Sequence, residues 1–423
     1  MLRKDTEAMK TNIIKNNSSK IKNLFLSIAA TAIFNMVIQF LLYPFFERNL
    51  GTEKYGVALS ILSIIAIVSG TIGTSANYSR MITSSNKSID YTNGDYNVIT
   101  LTLSAVCGVA GILYLRYLGI SSWLPTLIFV LLIIITAFRY YSDVEYRMKA
   151  DFLRYMLFYM AISVGYMLGM LVYRLTDEWM LAFLLGEVIG VSFVFFGGTI
   201  YRKDALKTSK SFPLVCKSMG FLLFSNLIEN LTLNADRLLL MVFSGGTAVT
   251  IYYTASLLGK VVAMLSVPIN SIIISYLAKY EEDLSKKFWT IATFALSALG
   301  VVAFAGCTLI SPFMLKILYP DLLGDVREYI APAILGQVFY FISGILLVIL
   351  LKFRGEKKQF LFNVGYAIEF MVIVIAGTYI GGLDGFVYSA LIANAIRFIA
   401  VILWGFLSIK KPKKQAVDTA EAK

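Results

Sequence analysis

The sequence has no histidine. A Ser-His-Asp triad, a Cys-His nucleophile pair, a histidine metal site and a histidine proton relay are therefore all excluded. The three cysteines, Cys107, Cys216 and Cys307, are far apart and form no CxxC motif. Lone thiols in apolar surroundings usually pack as small hydrophobic groups, so we expect no redox centre, no metal site and no cofactor.

Charged residues are also scarce. They make up 15% of the 423 residues, against about 25% in soluble domains. Hydrophobic residues make up 58%, in runs close to the ~20 residues that a helix needs to cross a bilayer. This composition excludes a disordered chain, a nucleic-acid-binding module and a soluble enzyme. Connections of at most about 20 residues leave no room for an extramembrane catalytic domain.

The apolar runs predict an all-α, polytopic membrane protein with about twelve transmembrane helices in two six-helix bundles. We place the helices at residues 23–46, 55–80, 97–118, 121–141, 155–173, 180–200, 212–243, 247–277, 287–310, 330–351, 360–380 and 385–407. The predicted organisation is a basic tail at 1–22, a bundle at 23–200, a linker loop at 201–211, a bundle at 212–407 and a basic tail at 408–423. Short Gly/Thr turns at 50–56 and 245–252 suggest that the two halves form a parallel repeat.

The formal net charge of +12 is explained by membrane topology. With both termini inside, the inner segments and helix ends hold roughly four times as many Lys and Arg residues as the outer ones, which is the positive-inside pattern. We count Arg139 among the residues at an inner helix end. The excess of basic residues therefore implies no nucleic-acid partner. We expect a multi-pass protein with both termini in the cytoplasm.

Two cations are predicted deep inside membrane spans. Lys260 and Arg397 lie about 13 and 12 residues into the eighth and twelfth helices, roughly 20 Å and 18 Å from their ends. Placing a charge at that depth costs about 2.5–3.5 kcal/mol on insertion scales, so each needs a reason to be there. One reason is an internal ion pair with Glu187, Glu229 or Glu369; the other is contact with an anionic substrate.

Polar residues follow one face of the seventh helix and, more mildly, of the first. Spacings of three and four residues connect Asn226, Glu229, Asn230, Asn234 and Arg237 in one, and Ser27, Thr31, Asn35 and Gln39 in the other. These faces predict a hydrated central cavity between the two halves. Hydrogen bonding between packed helices is the alternative.

Two segments carry a resemblance to a known family. The first helix ends in Glu47-Arg48-Asn49-Leu50-Gly51-Thr52-Glu53-Lys54-Tyr55-Gly56, and the second half contains Asn234-Ala235-Asp236-Arg237-Leu238-Leu239-Leu240 followed by Gly246 and Tyr252. With the helix count, orientation and length, these segments resemble the polysaccharide-exporter (Wzx-type) flippases of the multidrug/oligosaccharidyl-lipid/polysaccharide exporter superfamily.

The resemblance implies a transporter, with no covalent chemistry, in the bacterial cytoplasmic membrane. It would flip undecaprenyl-diphosphate-linked oligosaccharide by alternating access for O-antigen or capsule synthesis. The diphosphate would contact Lys260, Arg397 and Arg237, with Arg80 as a further candidate unless it only marks the inner interface. The sugar-facing candidates are Asn35, Gln39, Asn226 and Asn230, and the candidates for coupling H⁺ or Na⁺ are Glu187, Glu229, Asp236 and Glu369. The implied partners are this lipid-linked substrate, membrane lipids and a polysaccharide polymerase complex.

Other functions stay open. A cation-coupled multidrug exporter of the same superfamily often has an acidic residue in the first helix, where this chain has Asn35. A lipid II flippase for cell-wall synthesis fits the same features. A membrane enzyme such as a glycan polymerase or ligase would need a larger outer loop than the sequence offers.

Overall fold

The computed structural model describes residues 23, 25–86, 89–277 and 283–409, apart from the side chains at 267, 268, 271, 272, 275 and 276. These described residues are almost entirely helical and contain no strand. Ten of the helices are long and apolar enough to cross a membrane. The predicted all-α, polytopic fold class is confirmed. The predicted tail at 1–22 and most of the one at 408–423 lie outside the described residues.

Six helices precede the loop at 201–211. They are α1 Phe25–Leu50, α2 Thr52–Ser85, α3 Asn93–Tyr117, α4 Trp123–Met148, α5 Phe152–Thr176 and α6 Trp179–Gly197. Helix α1 contains a π-helical stretch, Ile38–Leu42. It ends two residues before Pro44, whose missing N–H leaves a preceding carbonyl without its helical partner. Helix α3 starts with a reciprocal capping box between Thr92 and Asp95.

Glycines divide two of the later helices. Gly245, with φ of 80°, interrupts Phe212–Ala255, which gives α7 (212–244) and the first part of α8 (246–255). Helix α8 continues through Leu257–Met264 and Ser266–Leu277, followed by α9 Lys286–Leu318 and α10 Ile330–Arg354. Gly382, with φ of 55°, divides Glu356–Leu407 into α11 (356–381) and α12 (383–407). The described residues therefore form twelve long helices, the predicted number, and two short helical turns, Pro320–Leu322 and Leu323–Val326, precede α10.

The joints after α1 and α7 share one backbone conformation. Gly51 has φ 78° and ψ 162°, and Gly245 has φ 80° and ψ −179°. Residues with a Cβ rarely adopt this region, whereas glycine enters it without steric cost. These are the first joints of the two predicted halves, so the Gly/Thr turns that suggested a repeat have repeated geometry.

The two joints also bring α2 and α8 into backbone contact. A Cβ added to Gly56 would lie 1.8 Å from the carbonyl oxygen of Gly246, and one added to Gly246 would lie 2.3 Å from that of Glu53. The Thr250 hydroxyl donates to the carbonyl oxygen of Thr52 at 2.7 Å. The beginnings of these two helices can approach so closely only because glycines occupy the contact.

The chain separates into two compact units. The first extends to Tyr253 and includes Leu318–Pro320; the second contains Thr254–Ile317 and the chain from Asp321 onward. Helix α7 and the first two turns of α8 thus belong to the same unit as α1–α6. The predicted division into six-helix bundles at 201–211 stays a prediction.

The loop at 201–211 is attached to the start of α3 in the first unit. The Asn93 side chain donates to the carbonyl oxygen of Lys203 at 2.6 Å, and that of Asn97 to the carbonyl oxygen of Ala205 at 3.0 Å. The Asp95 carboxylate accepts from the backbone N–H of Ser209 at 2.7 Å. Three side chains on one helix turn therefore hold a loop more than a hundred residues away in sequence.

In the second unit, Trp289 of α9 is fully buried. Its indole N–H donates to the carbonyl oxygen of Ile402 at 3.2 Å, and a Cβ added to Gly405 would lie 1.9 Å from its ring. Helix α8 packs closely on α10 at Gly259, where an added Cβ would lie 2.8 Å from the Gln337 side chain. Small residues thus set the close packing of α9 on α12 and of α8 on α10.

Candidate functional site

Arg397 lies on α12 of the second unit, where it is 6% exposed. Its Cζ is 4.2 Å from the centroid of the Tyr340 ring and 4.4 Å from that of the Tyr366 ring. Since the two centroids are 6.1 Å apart, the lines from Cζ to the two centroids meet at roughly a right angle. The two rings therefore form a corner around the guanidinium. The Tyr366 hydroxyl donates to Oδ1 of Asn394 at 2.9 Å, which fixes one side of this corner.

The Arg397 guanidinium is incompletely satisfied. Its Nε and Nη1 atoms are buried and have no hydrogen-bond partner, and the ion pairs within 4 Å in the described part of the chain do not include it. The half-buried Glu369 of α11 interacts with it through space, and Oε1 of Glu369 also has no hydrogen-bond partner. Buried charges are normally paired, so an open cation within a membrane span is a candidate ligand site.

Arg237 on α7 is a second open cation, in the first unit. Its Nη1 donates to Ser63 at 3.3 Å and to Asn234 at 3.4 Å, both long bonds to neutral partners, and its Nε has no partner. Its Cζ lies 4.9 Å from the ring centroid of Tyr253, whose hydroxyl donates to Oε1 of Gln39. The structure therefore brings together Arg237, Gln39 and Asn234, which lie on two polar faces predicted from the sequence.

The remaining polar face of α7 packs along α2. The Asn226 side chain donates to the Ser75 hydroxyl at 2.8 Å, and that of Asn230 to the Thr71 hydroxyl at 3.4 Å. The signal in the sequence is the four-residue spacing of the hydroxyl residues on α2, Thr71, Ser75 and Ser79. In this structure Asn226 and Asn230 make the contacts expected of the alternative, hydrogen bonding between helices; their sugar contact stays a prediction.

Arg80, near the end of α2, also has an Nε without a partner, but its other donors make shorter hydrogen bonds than those of Arg237. It is buried and donates to the Tyr141 hydroxyl and, at 2.6 Å, to Oδ1 of Asn93. The rings of Tyr91, Tyr96 and Tyr141 surround its Cζ at 5.7–5.8 Å. This geometry is that of a tether between α2, α3 and α4 and corresponds to the interface alternative for this residue.

The other predicted binding residues, Lys260 and Asn35, lie at half-buried positions within their helices. Lys260 is half-buried in the middle segment of α8. The half-buried Asn35 side chain donates to the Thr31 carbonyl oxygen of its own helix at 2.9 Å. Their contact with substrate stays a prediction.

The four carboxylates predicted for ion coupling have different surroundings. Glu187 is in an ion pair with Arg139, Asp236 is buried and interacts with its neighbour Arg237, and Glu229 on α7 is exposed. Glu369 lies near Arg397, as described above. In the part of the chain that the structure describes, no three His, Cys, Asp or Glu residues form a group able to hold a metal ion.

A buried charge network in the first unit was not predicted. Nε of Arg139 lies 2.9 Å from Oε2 of Glu187, with both side chains at most 6% exposed, and the Tyr166 hydroxyl donates to Oε1 of Glu187 at 2.6 Å. Because α4 extends to Met148, Arg139 lies inside the helix rather than at the predicted inner end. The assignment of Arg139 to that end is therefore corrected.

The network continues along α4 at the next two turns. Asp143 accepts from the Tyr159 hydroxyl at 3.1 Å, and Arg147 lies 3.2 Å from the Asp143 carboxylate and donates to the Tyr155 hydroxyl at 3.1 Å. The signal in the sequence is the four-residue spacing of charges of alternating sign at 139, 143 and 147. Every charge in this series is in an ion pair within 4 Å.

No protein-family model and no curated protein matches this sequence. Solved structures do match most of its length. The lipid II flippase MurJ, in an inward closed conformation, matches with a TM-score of 0.70 and 14% identity over 90% of this chain and 87% of that chain. An inward-facing multidrug resistance MATE family transporter of the MOP superfamily has a TM-score of 0.61 and 16% identity, covering 91% and 94%. The bent form of the Vibrio cholerae MATE transporter VcmN has a TM-score of 0.56 and 15% identity, covering 93% and 99%.

The chain has the fold of MATE transporters and MurJ. It is a multi-pass membrane protein. A charged residue inside one of its spans therefore carries the free-energy cost of placing a charge in a bilayer. Since one fold can host different functions, the roles of residues must come from their own geometry. By that criterion Arg397 and Arg237, with few or long hydrogen bonds, are candidates for contact with a ligand. Arg139 is in an ion pair, and Arg80 is fixed by short hydrogen bonds to α3 and α4.

Proposed function

We propose that the protein is a flippase that carries undecaprenyl-diphosphate-linked oligosaccharide across the bacterial cytoplasmic membrane for O-antigen or capsule synthesis. The observation that carries the proposal is Arg397, a buried cation in a membrane span with two donors lacking partners. Oxygens of a diphosphate accept charge-assisted hydrogen bonds from such donors. A neutral substrate could accept hydrogen bonds from these donors but would leave their charge uncompensated, and a cationic substrate would be repelled.

The first unit supports the same substrate class. Arg237 also has an open donor, and Asn234 and Gln39 lie beside it. Amide groups can donate to and accept from sugar hydroxyls. We propose that Lys260 supplies a further cation and that Asn35, Asn226 and Asn230 meet the sugar once the helices that now cover the last two have separated.

We propose that transport proceeds by alternating access of two six-helix halves, with no covalent step. The fold favours this mechanism because it is shared by solved transporters in inward-facing and inward closed conformations. Both termini would be cytoplasmic, following the positive-inside pattern. H⁺ or Na⁺ would drive the cycle, and a polysaccharide polymerase would receive the product.

A second candidate is lipid II flipping. The fold likeness to MurJ, with a TM-score of 0.70, favours it, and its lipid diphosphate would use the same open cations. A cation-coupled multidrug exporter is a third, favoured by the MATE fold but not by the open arginines, which suit an anion.

Export in a strain deleted for the gene tests the proposal. We expect Arg397→Ala and Arg237→Ala to reduce surface glycan at least roughly tenfold, since losing a charged hydrogen-bond partner costs about 2–5 kcal/mol. Arg327→Ala is the matched control, because Arg327 lies exposed in the turn before α10. Wild-type glycan export by both correctly inserted arginine variants would overturn the proposal. Loss of drug resistance, or loss of cell-wall synthesis with normal glycan, would select the exporter or the lipid II flippase.

A further inference from the structure

Arg397 and Glu369 lie at the same corner of the second unit, because Glu369 is one helical turn from Tyr366, whose ring contacts the Arg397 guanidinium. Each has buried polar atoms without hydrogen-bond partners, they interact through space, and their charged atoms are more than 4 Å apart. Flexible side chains of opposite charge normally close such a gap in a low-dielectric environment. Something must therefore hold them apart.

The corner of tyrosines supplies the restraint. Tyr340 and Tyr366 contact the Arg397 guanidinium at 4.2 Å and 4.4 Å, and the hydrogen bond from Tyr366 to Asn394 fixes one of the rings. Attraction to the aromatic rings holds the cation in place. The unpartnered donors of Arg397 stay accessible to an anionic ligand. Such a ligand would have to displace the nearby Glu369 carboxylate.

We propose that Glu369 is the internal counter-ion of Arg397, and that an anionic headgroup replaces it there while Glu369 takes up a proton. The inference rests on the proposed function and specifies how the same site is regulated. Two anions beside one buried cation repel each other, so protonation of one of them favours binding of the other. One phosphate oxygen binds to the guanidinium, one proton passes from water to the carboxylate, and the charge balance of the site is kept.

The charged and titratable neighbours of this pair come from three helices. Arg397 faces Glu369 from α12, Tyr366 lies beside it on α11, and Tyr340 of α10 faces Arg397. Glu369 is the carboxyl group of this cluster and therefore the group that can take up a proton when a second anion binds beside it.

Binding of inorganic pyrophosphate to the purified full-length protein tests the inference. Affinity is measured by calorimetry from pH 5.5 to 8 for the wild type, Glu369→Gln and Glu356→Gln, the last being an exposed matched control at the start of α11. Pyrophosphate titrates identically in every sample, so the ratio of variant to wild-type affinity reports on the protein alone. We expect Glu369→Gln to bind roughly tenfold more tightly at pH 8, with the difference becoming smaller as the pH is lowered toward 5.5, whereas Glu356→Gln follows the wild type throughout.

Proton uptake is the second measurement. In weakly buffered solution, the wild type should take up about one proton more per bound pyrophosphate than Glu369→Gln does, and Glu369→Asp should restore the uptake. Equal affinity of Glu369→Gln and wild type at every pH, or equal proton uptake, would overturn the inference.

Arg397 variants separate this inference from the proposed function. Arg397→Gln should lose pyrophosphate binding at every pH; if it does not fold, Arg397→Lys, which keeps the charge, should bind more weakly than the wild type. Loss of binding in these variants with no effect of Glu369→Gln would leave the proposed site intact and reject the exchange. Unchanged binding in a folded Arg397 variant would reject both.

Discussion

The ion pair between Arg139 and Glu187 allows a quantitative test of what a buried carboxylate does here. Both side chains are at most 6% exposed, and Nε of Arg139 lies 2.9 Å from Oε2 of Glu187. Removing one partner of a buried pair typically costs about 3–5 kcal/mol, because the other charge stays buried and alone. Glu187→Gln keeps the shape and Arg139 also feels Asp143, so we expect about 3 kcal/mol. For a unit of this size that corresponds to a fall of roughly 6–12 °C in Tm.

A double-mutant cycle separates pairing from function. Arg139→Gln should cost a similar amount, and the double variant should recover at least half of the loss because no isolated charge remains. Thermal unfolding in detergent, followed by tryptophan fluorescence, measures all four proteins. The exposed pair of Arg154 and Asp151 is the control, since Arg154→Gln should change stability by less than about 1 kcal/mol.

The result also decides between two roles of Glu187. A fall in Tm of less than 2 °C for both single variants, or a double variant no better than the worse single one, would refute the assignment as a structural pair. If Glu187→Gln kept the wild-type Tm but abolished transport, Glu187 would be an ion-coupling residue instead.

Three further predictions concern close packing and the loop. Gly56→Val should separate the starts of α2 and α8, because its Cβ would lie 1.8 Å from the Gly246 carbonyl oxygen; we expect transport to fall at least roughly tenfold with normal insertion, and unchanged glycan export would contradict this. Asp95→Asn should release the 201–211 loop by removing the carboxylate that caps α3 and accepts from the loop, at about 1–2 kcal/mol; trypsin should then cleave the loop faster, and an unaltered cleavage rate would refute the assignment. Gly405→Ala should collide with the Trp289 ring at 1.9 Å and cost about 1–3 kcal/mol, seen as a lower Tm by tryptophan fluorescence; an unchanged Tm would show that the ring can move aside.

Helix number and type followed from the sequence because hydropathy is a local property. The predicted helix ends were less accurate. Helix α2 extends to Ser85 and α4 to Met148, beyond the predicted ends at residues 80 and 141. Both extensions continue past the apolar run with polar residues that are buried against other helices, among them Thr83 and Asp143. A hydropathy pattern stops where the apolar residues stop, whereas a helix stops where its packing does.

The candidate site was predictable only in part. Arg397, Arg237, Gln39 and Glu369 stood out as polar residues inside apolar runs. Tyr340, Tyr366 and Tyr253 did not, because a tyrosine in an apolar helix has no signal that separates a cation-binding ring from ordinary packing. Their roles depend on where a guanidinium from another helix is placed.

The sequence by itself determined the class of protein, the number of helices and the expected orientation. Each of these depends on sums of single-residue transfer free energies and on charges counted loop by loop, so no contact needs to be known. Only the tertiary structure decided which cations are paired and which stay open. Arg139 and Glu187 are 48 residues apart and Arg237 and Ser63 are 174 apart, and whether such groups meet depends on the packing of helices that a pattern along one segment does not contain.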